Sequence, residues 1–402
     1  MKLRAILAGS LAGAGALLAT AAFADAGLDR IMGRALFDRM WVQAPSSTQG
    51  DDGLGPLYNE RGCALCHAGG GGARFLRNGD GSWSVHGAVA RLGMPDGTID
   101  PFYGQQIQTA AVTGLEPEGR LAFAAGTDGS LATSVTLSEG LPPLRAHISV
   151  RQAGPLFGRG GFDRIPDEAI RAQAAREAAA DSGIHGRPRT IEIDGRERVG
   201  RFGWKARNID LRHQTAEAFA LDIGLSSPLM PRPYGDCTEA EKDCLAAPNG
   251  NSPGFDNQEI SGEMLGLVAA YVASLPVHAA PADSRGAALF ASTGCAACHV
   301  PSLPGRDGKP VPTFSDLLLH DMGPGLDDGM PEVGAASFEW RTAPLIDMAN
   351  SKGLRRYLHD GRAPTVEAAV RAHGGEAANA AAAFAGLGAD DRAALIAYVE
   401  GL

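Results

Sequence analysis

Apolar positions recur at helical spacing in several stretches of the chain. Leu265, Val268, Ala269 and Val272 fall on one stripe of 264–272, and Leu395, Ile396, Tyr398 and Val399 mark a second helix at 395–399. A third opens at Thr365, a good N-cap after Pro364, and stops at Gly374-Gly375; Val366, Ala369, Val370 and His373 stand at i, i+3, i+4 and i+7. A fourth is expected around 166–180, and a fifth capped by Asp210 would carry Gln214, Ala218 and Asp222 on neighbouring turns of one face. Strand-like pieces at 134–137 and 190–193 flank the fourth helix. Pro276 and Pro281 punctuate an expected linker at 276–282.

A weak internal repeat runs through this pattern. Gly55-Pro56-Leu57-Tyr58 resembles Gly286-Ala287-Ala288-Leu289-Phe290, and 265–275 echoes 395–402. Each copy reads as helix, loop, closing helix, and each loop holds the same chemistry: Cys63-Ala64-Leu65-Cys66-His67 in the first, Cys295-Ala296-Ala297-Cys298-His299 in the second.

That spacing attaches a c-type haem. Two cysteines three apart lie on one helical turn, where both sulfurs can form thioethers to one porphyrin edge, and the following histidine falls beneath the iron. The reading therefore calls for two covalently bound haem c groups, on Cys63 and Cys66 with His67 as metal ligand, and on Cys295 and Cys298 with His299. A four-Cys zinc site or two thioredoxin-like dithiols would not need a histidine after each pair. A second iron in so small a unit must be capped, and His373, on the buried stripe of its helix, is the candidate sixth ligand. His86, nineteen residues after His67, is a weaker candidate for the first iron.

The expected fold is accordingly mainly α, with two cytochrome c-like domains: 25–278, enlarged by an inserted subdomain with some β-structure at about 118–200, and 283–402. Lys2, Arg4, the apolar run after them and Ala22-Phe23-Ala24 read as a signal peptide over 1–24. Export fits haem attachment in a periplasm and permits a disulfide between Cys237 and Cys244, the two cysteines the haems leave over. Nothing later is long and apolar enough for a stable membrane span. Cleavage removes Lys2 and Arg4 and no acid, taking the net charge from −10 to −12, which speaks against a nucleic-acid partner. Gly69-Gly70-Gly71-Gly72 has no Gly-Lys-Ser/Thr after it and is no phosphate loop.

The chain resembles the bacterial dihaem peroxidases and, more closely, the dihaem oxidoreductase branch sometimes labelled thiol oxidoreductase. The resemblance rests on Ala44-Pro45-Ser46-Ser47-Thr48, Asp52-Gly53-Leu54-Gly55-Pro56-Leu57, both Cys/His motifs, Gly200-Arg201-Phe202-Gly203-Trp204-Lys205-Ala206, Leu317-Leu318-Leu319-His320-Asp321-Met322-Gly323 and His359-Asp360-Gly361-Arg362-Ala363. It implies a ligand of the C-terminal haem at the offset of His373, where the peroxidases usually carry Met; histidine would lower that iron's potential. Met322 and His320 are further candidates, with structural or propionate-facing roles favoured.

The resemblance also implies a Trp between the haems and a distal Gln ten residues on, which fall on Trp204 and Gln214. The distal acid would fall on Asp222, two residues early. Gln105, Gln106, Gln108, Glu116 and Glu118 could supply distal groups instead. A calcium ion occurs in the peroxidase relatives, and Thr342-Ala343-Pro344 lies in the corresponding region, but calcium is not expected here.

The function expected is a periplasmic dihaem oxidoreductase, peroxidase-like, with an open N-terminal haem and an electron-transferring C-terminal haem. Its partners would be a periplasmic electron donor or acceptor protein and a small oxidant such as peroxide. The alternatives are a non-catalytic dihaem electron-transfer protein or redox sensor, and a role in iron handling that no residue demands.

Overall fold

The computed structural model describes residues 27–402 apart from 49, 127–128, 181, 278–279, 282–283 and 352–354. The expected signal peptide, and part of the expected linker, lie outside the described residues.

The expected helices form where their end signals stand. Ser261 caps Gly262–Ala273 by accepting from the Met264 N–H, Asp210 caps Leu211–Ala218 through the His213 N–H, and Thr365 caps Val366–Arg371 through the Ala368 N–H. Pro166 precedes Asp167–Ala179, whose first turn carries Asp167 and Glu168 at the positive end of the helix dipole. The stripe of Gly262–Ala273 is buried, with Leu265 fully enclosed; truncating such a leucine to alanine costs about 2–5 kcal/mol.

The expectation of a mainly α chain with two cytochrome c-like domains is corrected. The chain is 31% helix and 21% strand, and among the described residues the strands form six two-stranded sheets and one of three strands, all antiparallel. Nor is the β-structure confined to 118–200: it starts at Leu57–Tyr58 and its last strand is Glu339–Arg341. The physical reason is strand length. Pieces of two to seven residues, closed by tight turns, carry too few alternations to stand out beside a helical stripe. Only Gly119–Ala125 and Leu131–Leu137, paired along their whole length, show sustained inside-outside alternation.

The largest core joins residues from both expected units, among them Leu36, Trp41, Phe162, Phe219, Leu265, Phe290 and Leu395. Cys237 and Cys244 are disulfide-bonded and bury with Leu57 in a small cluster of their own. Among the described residues no helix is long and apolar enough to cross a membrane.

One irregularity places the site. The helix begun by Asp210 does not end at Ala218; it widens into a π-helical turn, Phe219–Ile223, and stops at Gly224 with φ +80°. The turn's free carbonyls hold the segment before the first Cys/His motif: Asp222 O accepts from the Asn59 and Glu60 N–H groups at 2.9 and 3.0 Å, and Ile223 O from the Gly55 N–H at 3.0 Å. Gly55 must be glycine for this approach, since a Cβ there would stand 2.5 Å from the Gly224 Cα.

Candidate functional site

A cavity of about 990 Å³ opens beside this junction, at the upper end of the range for ligand and cofactor pockets. Cys63, Cys66 and His67 stand on its wall together with Trp204, Gln214 and Asp222. The two cysteines occupy a single helical turn, Cys63–Cys66, and the His67 N–H closes it on Cys63 O at 2.9 Å. His67 Nδ1 bonds Gly71 O at 3.0 Å, and Gly154 adds a second backbone interaction to the ring; a backbone carbonyl on Nδ1 is the arrangement metal-ligating histidines use. Burial keeps this imidazole neutral by lowering its pKa. Burial also pushes the Cys63 thiol up to about 12 and Cys66 well above its usual range, so the pair is not a reactive dithiol.

Gln214, Ala218 and Asp222 all face the cavity across the widened turn. Burial raises the Asp222 carboxyl to about 6, against a hydrogen bond from Gln106 Nε2 to Oδ1 at 2.9 Å and with the Glu217 charge adding to the rise. The expected segment 103–108 thus reaches Asp222 through Gln106. Its neighbours hold the frame: Gln108 Nε2 donates to Leu221 O and Gln105 Oε1 accepts from Arg207. Glu118, raised to about 10 by burial first and by Glu241, is not on the cavity wall, and Glu116 is exposed. His86 ends the strand Trp83–His86 and is not on that wall either.

Sequence reasoning missed the arginines. Arg74, Arg151, Arg159, Arg341, Arg355 and Arg356 line the cavity, contributed by strands, a 3-10 helix and loops with no common spacing. Burial, then the charges of Arg341 and Arg355, hold Arg159 down to about 9, and burial holds Arg341 to about 10. Four buried donors among the described lining residues, Arg159 Nη1, Arg74 Nε, Arg201 Nε and Trp83 Nε1, have no protein acceptor. Mutually repelling guanidinium groups and orphaned donors around a large cavity are the complement of an anionic guest. A porphyrin, with an apolar body, two carboxylates and an iron needing an imidazole, fits the cavity and its donor set.

The second motif repeats the local geometry. His299 N–H bonds Cys295 O at 3.0 Å, and His299 Nδ1 bonds Phe314 O at 3.0 Å. His373 likewise spends Nδ1 on Ala369 O at 2.7 Å, leaving Nε2 free. Burial, then the neighbouring His373, pushes His299 down to about 4, and burial lowers His373, so the two neutral imidazoles share one enclosed region. Neither lies on the large cavity.

His320 cannot serve as a further iron ligand, because both ring nitrogens are taken: Nε2 lies 2.9 Å from Asp316 and Nδ1 2.7 Å from Glu376. Against burial, these carboxylates and Cys298 raise its pKa, so it is an imidazolium with two donors and no lone pair. Cys298, Asp316 and His320 are the one cluster of three or more His, Cys or acidic residues among the described residues with ligand atoms within 4.8 Å of one another, and Cys63, Cys66 and Cys295 are not in it.

Trp204 lies on the wall of the large cavity and donates Nε1 to Gln152 O at 2.8 Å. Its ring meets His359 edge-on at 6.4 Å, and His359 stacks on Trp340 at 3.8 Å and 13°. Arg151 and Lys205 lie 4.4 and 4.2 Å from the Trp340 ring centre.

A family model described as "Di-haem oxidoreductase, putative peroxidase" matches residues 144–402. The matched stretch holds the second Cys/His motif, Trp204, Gln214 and Asp222, and begins after the first motif. A solved structure of hydrazine synthase from Kuenenia stuttgartiensis covers 66% of this chain and 98% of its own, with 16% identity and a TM-score of 0.27. No curated protein matches.

Proposed function

Since the chain belongs to the di-haem oxidoreductase family, we propose that it is a periplasmic dihaem c-type oxidoreductase that reduces a small oxidant such as peroxide at the large cavity. Cys63 and Cys66 would hold one haem there with His67 as ligand. Cys295 and Cys298 would hold the other, between His299 and His373. When bound, the two irons supply the two electrons that cleavage of an O–O bond to two waters consumes.

The observation that carries this reading is that one cavity brings together an anchoring turn, a ligand histidine, an amide and a raised carboxyl. Asp222, near 6, is poised to take a proton at Oδ2, the oxygen not engaged by Gln106, and return it to a leaving oxygen near neutral pH. Gln214 faces the same space and would hydrogen-bond developing negative charge. Arg159 and Arg74 would bind the propionates, and Trp204 would stand between the redox centres. The physiological electron donor would be a periplasmic protein.

Mass spectrometry of exported protein should find two added porphyrins, one on each Cys pair. The half-reduced protein should bind carbon monoxide or cyanide at the first iron. Two six-coordinate irons that bind neither would instead make the chain an electron carrier or redox sensor.

A further inference from the structure

Gln214 is not free to turn. Its Oε1 accepts from Asn208 Nδ2 at 3.2 Å, and the same Nδ2 donates to Glu217 Oε2 at 2.5 Å. The other Glu217 oxygen, Oε1, is held by Arg207 Nε at 2.8 Å and faces Arg91 Nη2 at 3.6 Å. Asn208 and Glu217 are buried, and the Asn208 backbone is pinned to Phe202 in both directions.

We propose that Glu217, acting through Asn208, is a positioning residue that fixes Gln214 as a hydrogen-bond donor toward the cavity. This rests on placing Gln214 at the reacting face. An ionised carboxylate paired with arginines only accepts, so Asn208 must turn its NH2 toward Glu217. That NH2 also faces Gln214, which must answer with its carbonyl oxygen. The Gln214 NH2 is what remains for the cavity. The atom facing Gln214 is therefore an acceptor gaining negative charge, and a guest that offers only donors there would be refused.

A donor placed at position 217 would reverse this orientation. In Glu217→Gln the new side chain keeps its oxygen on Arg207 and presents an NH2 to Asn208. Two donors would then face each other, so Asn208 turns its oxygen inward and Gln214 turns its NH2 away from the cavity. Asn208→Asp, similar in shape, puts an oxygen opposite Gln214 directly and has the same outcome.

The test uses the haem-loaded protein, reduced and exposed to carbon monoxide, and reads the C–O stretching band. A donor at the ligand oxygen lowers that frequency, so Gln214→Ala should raise it. Glu217→Gln and Asn208→Asp should raise it in the same direction and by a comparable amount. Fluoride, an acceptor, should bind the oxidised form about tenfold more weakly in all three variants. A raised band in Gln214→Ala with an unchanged band in Glu217→Gln and in whichever Asn208→Asp protein retains haem would overturn the positioning role and leave the proposed function standing. Carbon monoxide failing to bind the wild-type protein would overturn both.

Discussion

Gln106 donates its amide Nε2 to Asp222 Oδ1 over 2.9 Å, from a side chain that is completely buried. The bond favours the ionised carboxylate and so works against the burial that lifts Asp222 to about 6. Removing it in Gln106→Leu should move the Asp222 pKa further up, by about one unit. If Asp222 must be ionised to accept the first proton, peroxide turnover in the wild type rises with pH through about 6. The Gln106→Leu profile should rise at higher pH with a similar plateau. A profile that shifts down, or keeps its wild-type midpoint while Asp222→Asn abolishes the limb, would refute this link.

Arg159 carries a buried Nη1 without a protein acceptor, next to Arg341 and Arg355 on the cavity wall. A cation beside a haem stabilises the electron-rich reduced state, so Arg159→Leu should lower the midpoint potential of the cavity haem by on the order of tens of millivolts. The protein without haem should be no less stable than the wild type, because the variant removes a poorly solvated charge that Arg341 and Arg355 repel. Redox titration followed by absorbance checks the first statement, and urea unfolding of the haem-free protein checks the second.

What the sequence made legible is local. Thr365 and Asp210 announced their helices because a cap is one side chain bonding a backbone N–H two or three residues on, whereas the Ser261 cap went unread. Cys-X-X-Cys-His is equally local, since one turn contains it. The hairpin of Arg74–Arg77 with Trp83–His86 went unread, although Asn78-Gly79 stands between its two short alternating runs. Four-residue strands leave little pattern to weigh against a helical template.

The cavity was legible only in part. Gln214 and Asp222 lie on one helix, but a π-helical turn rather than regular α-helix brings Asp222 to the wall, and nothing in its five residues signals an extra residue per turn. Arg74, Arg159 and Arg341 meet only after the chain has folded.

His320 is held between Asp316 and Glu376, with Asp316 and His320 themselves buried. Breaking a buried pair leaves one charge uncompensated, so Asp316→Asn should cost about 3 kcal/mol of unfolding free energy. The sign with pH follows from the raised folded-state pKa of His320. Its contribution is fully present below the unfolded value of about 6.5 and is lost as pH rises through the folded one. Denaturant titration near pH 6 is therefore the measurement, and a loss under about 1 kcal/mol would mean that Glu376 alone holds the imidazolium.

Trp204 joins the cavity to a run of rings, edge-on to His359 and through it to Trp340. Strand pairing sets Trp340 opposite His320, whose Nδ1 lies 4.0 Å from Cys298 Sγ. These contacts lead from the cavity wall to the second anchoring pair. Arg151 and Lys205 beside Trp340 make it a poor place to lodge a positive hole, so the run would act as a bridge rather than as a store. Trp204→Phe keeps a ring in place but gives up the bond to Gln152 O. It should slow the transfer of an electron from the second haem to the first severalfold while leaving ligand binding at the first unchanged. Rapid mixing of the fully reduced protein with peroxide, following each haem by its own absorbance, separates the two effects. Equal slowing of ligand binding would assign Trp204 to packing alone.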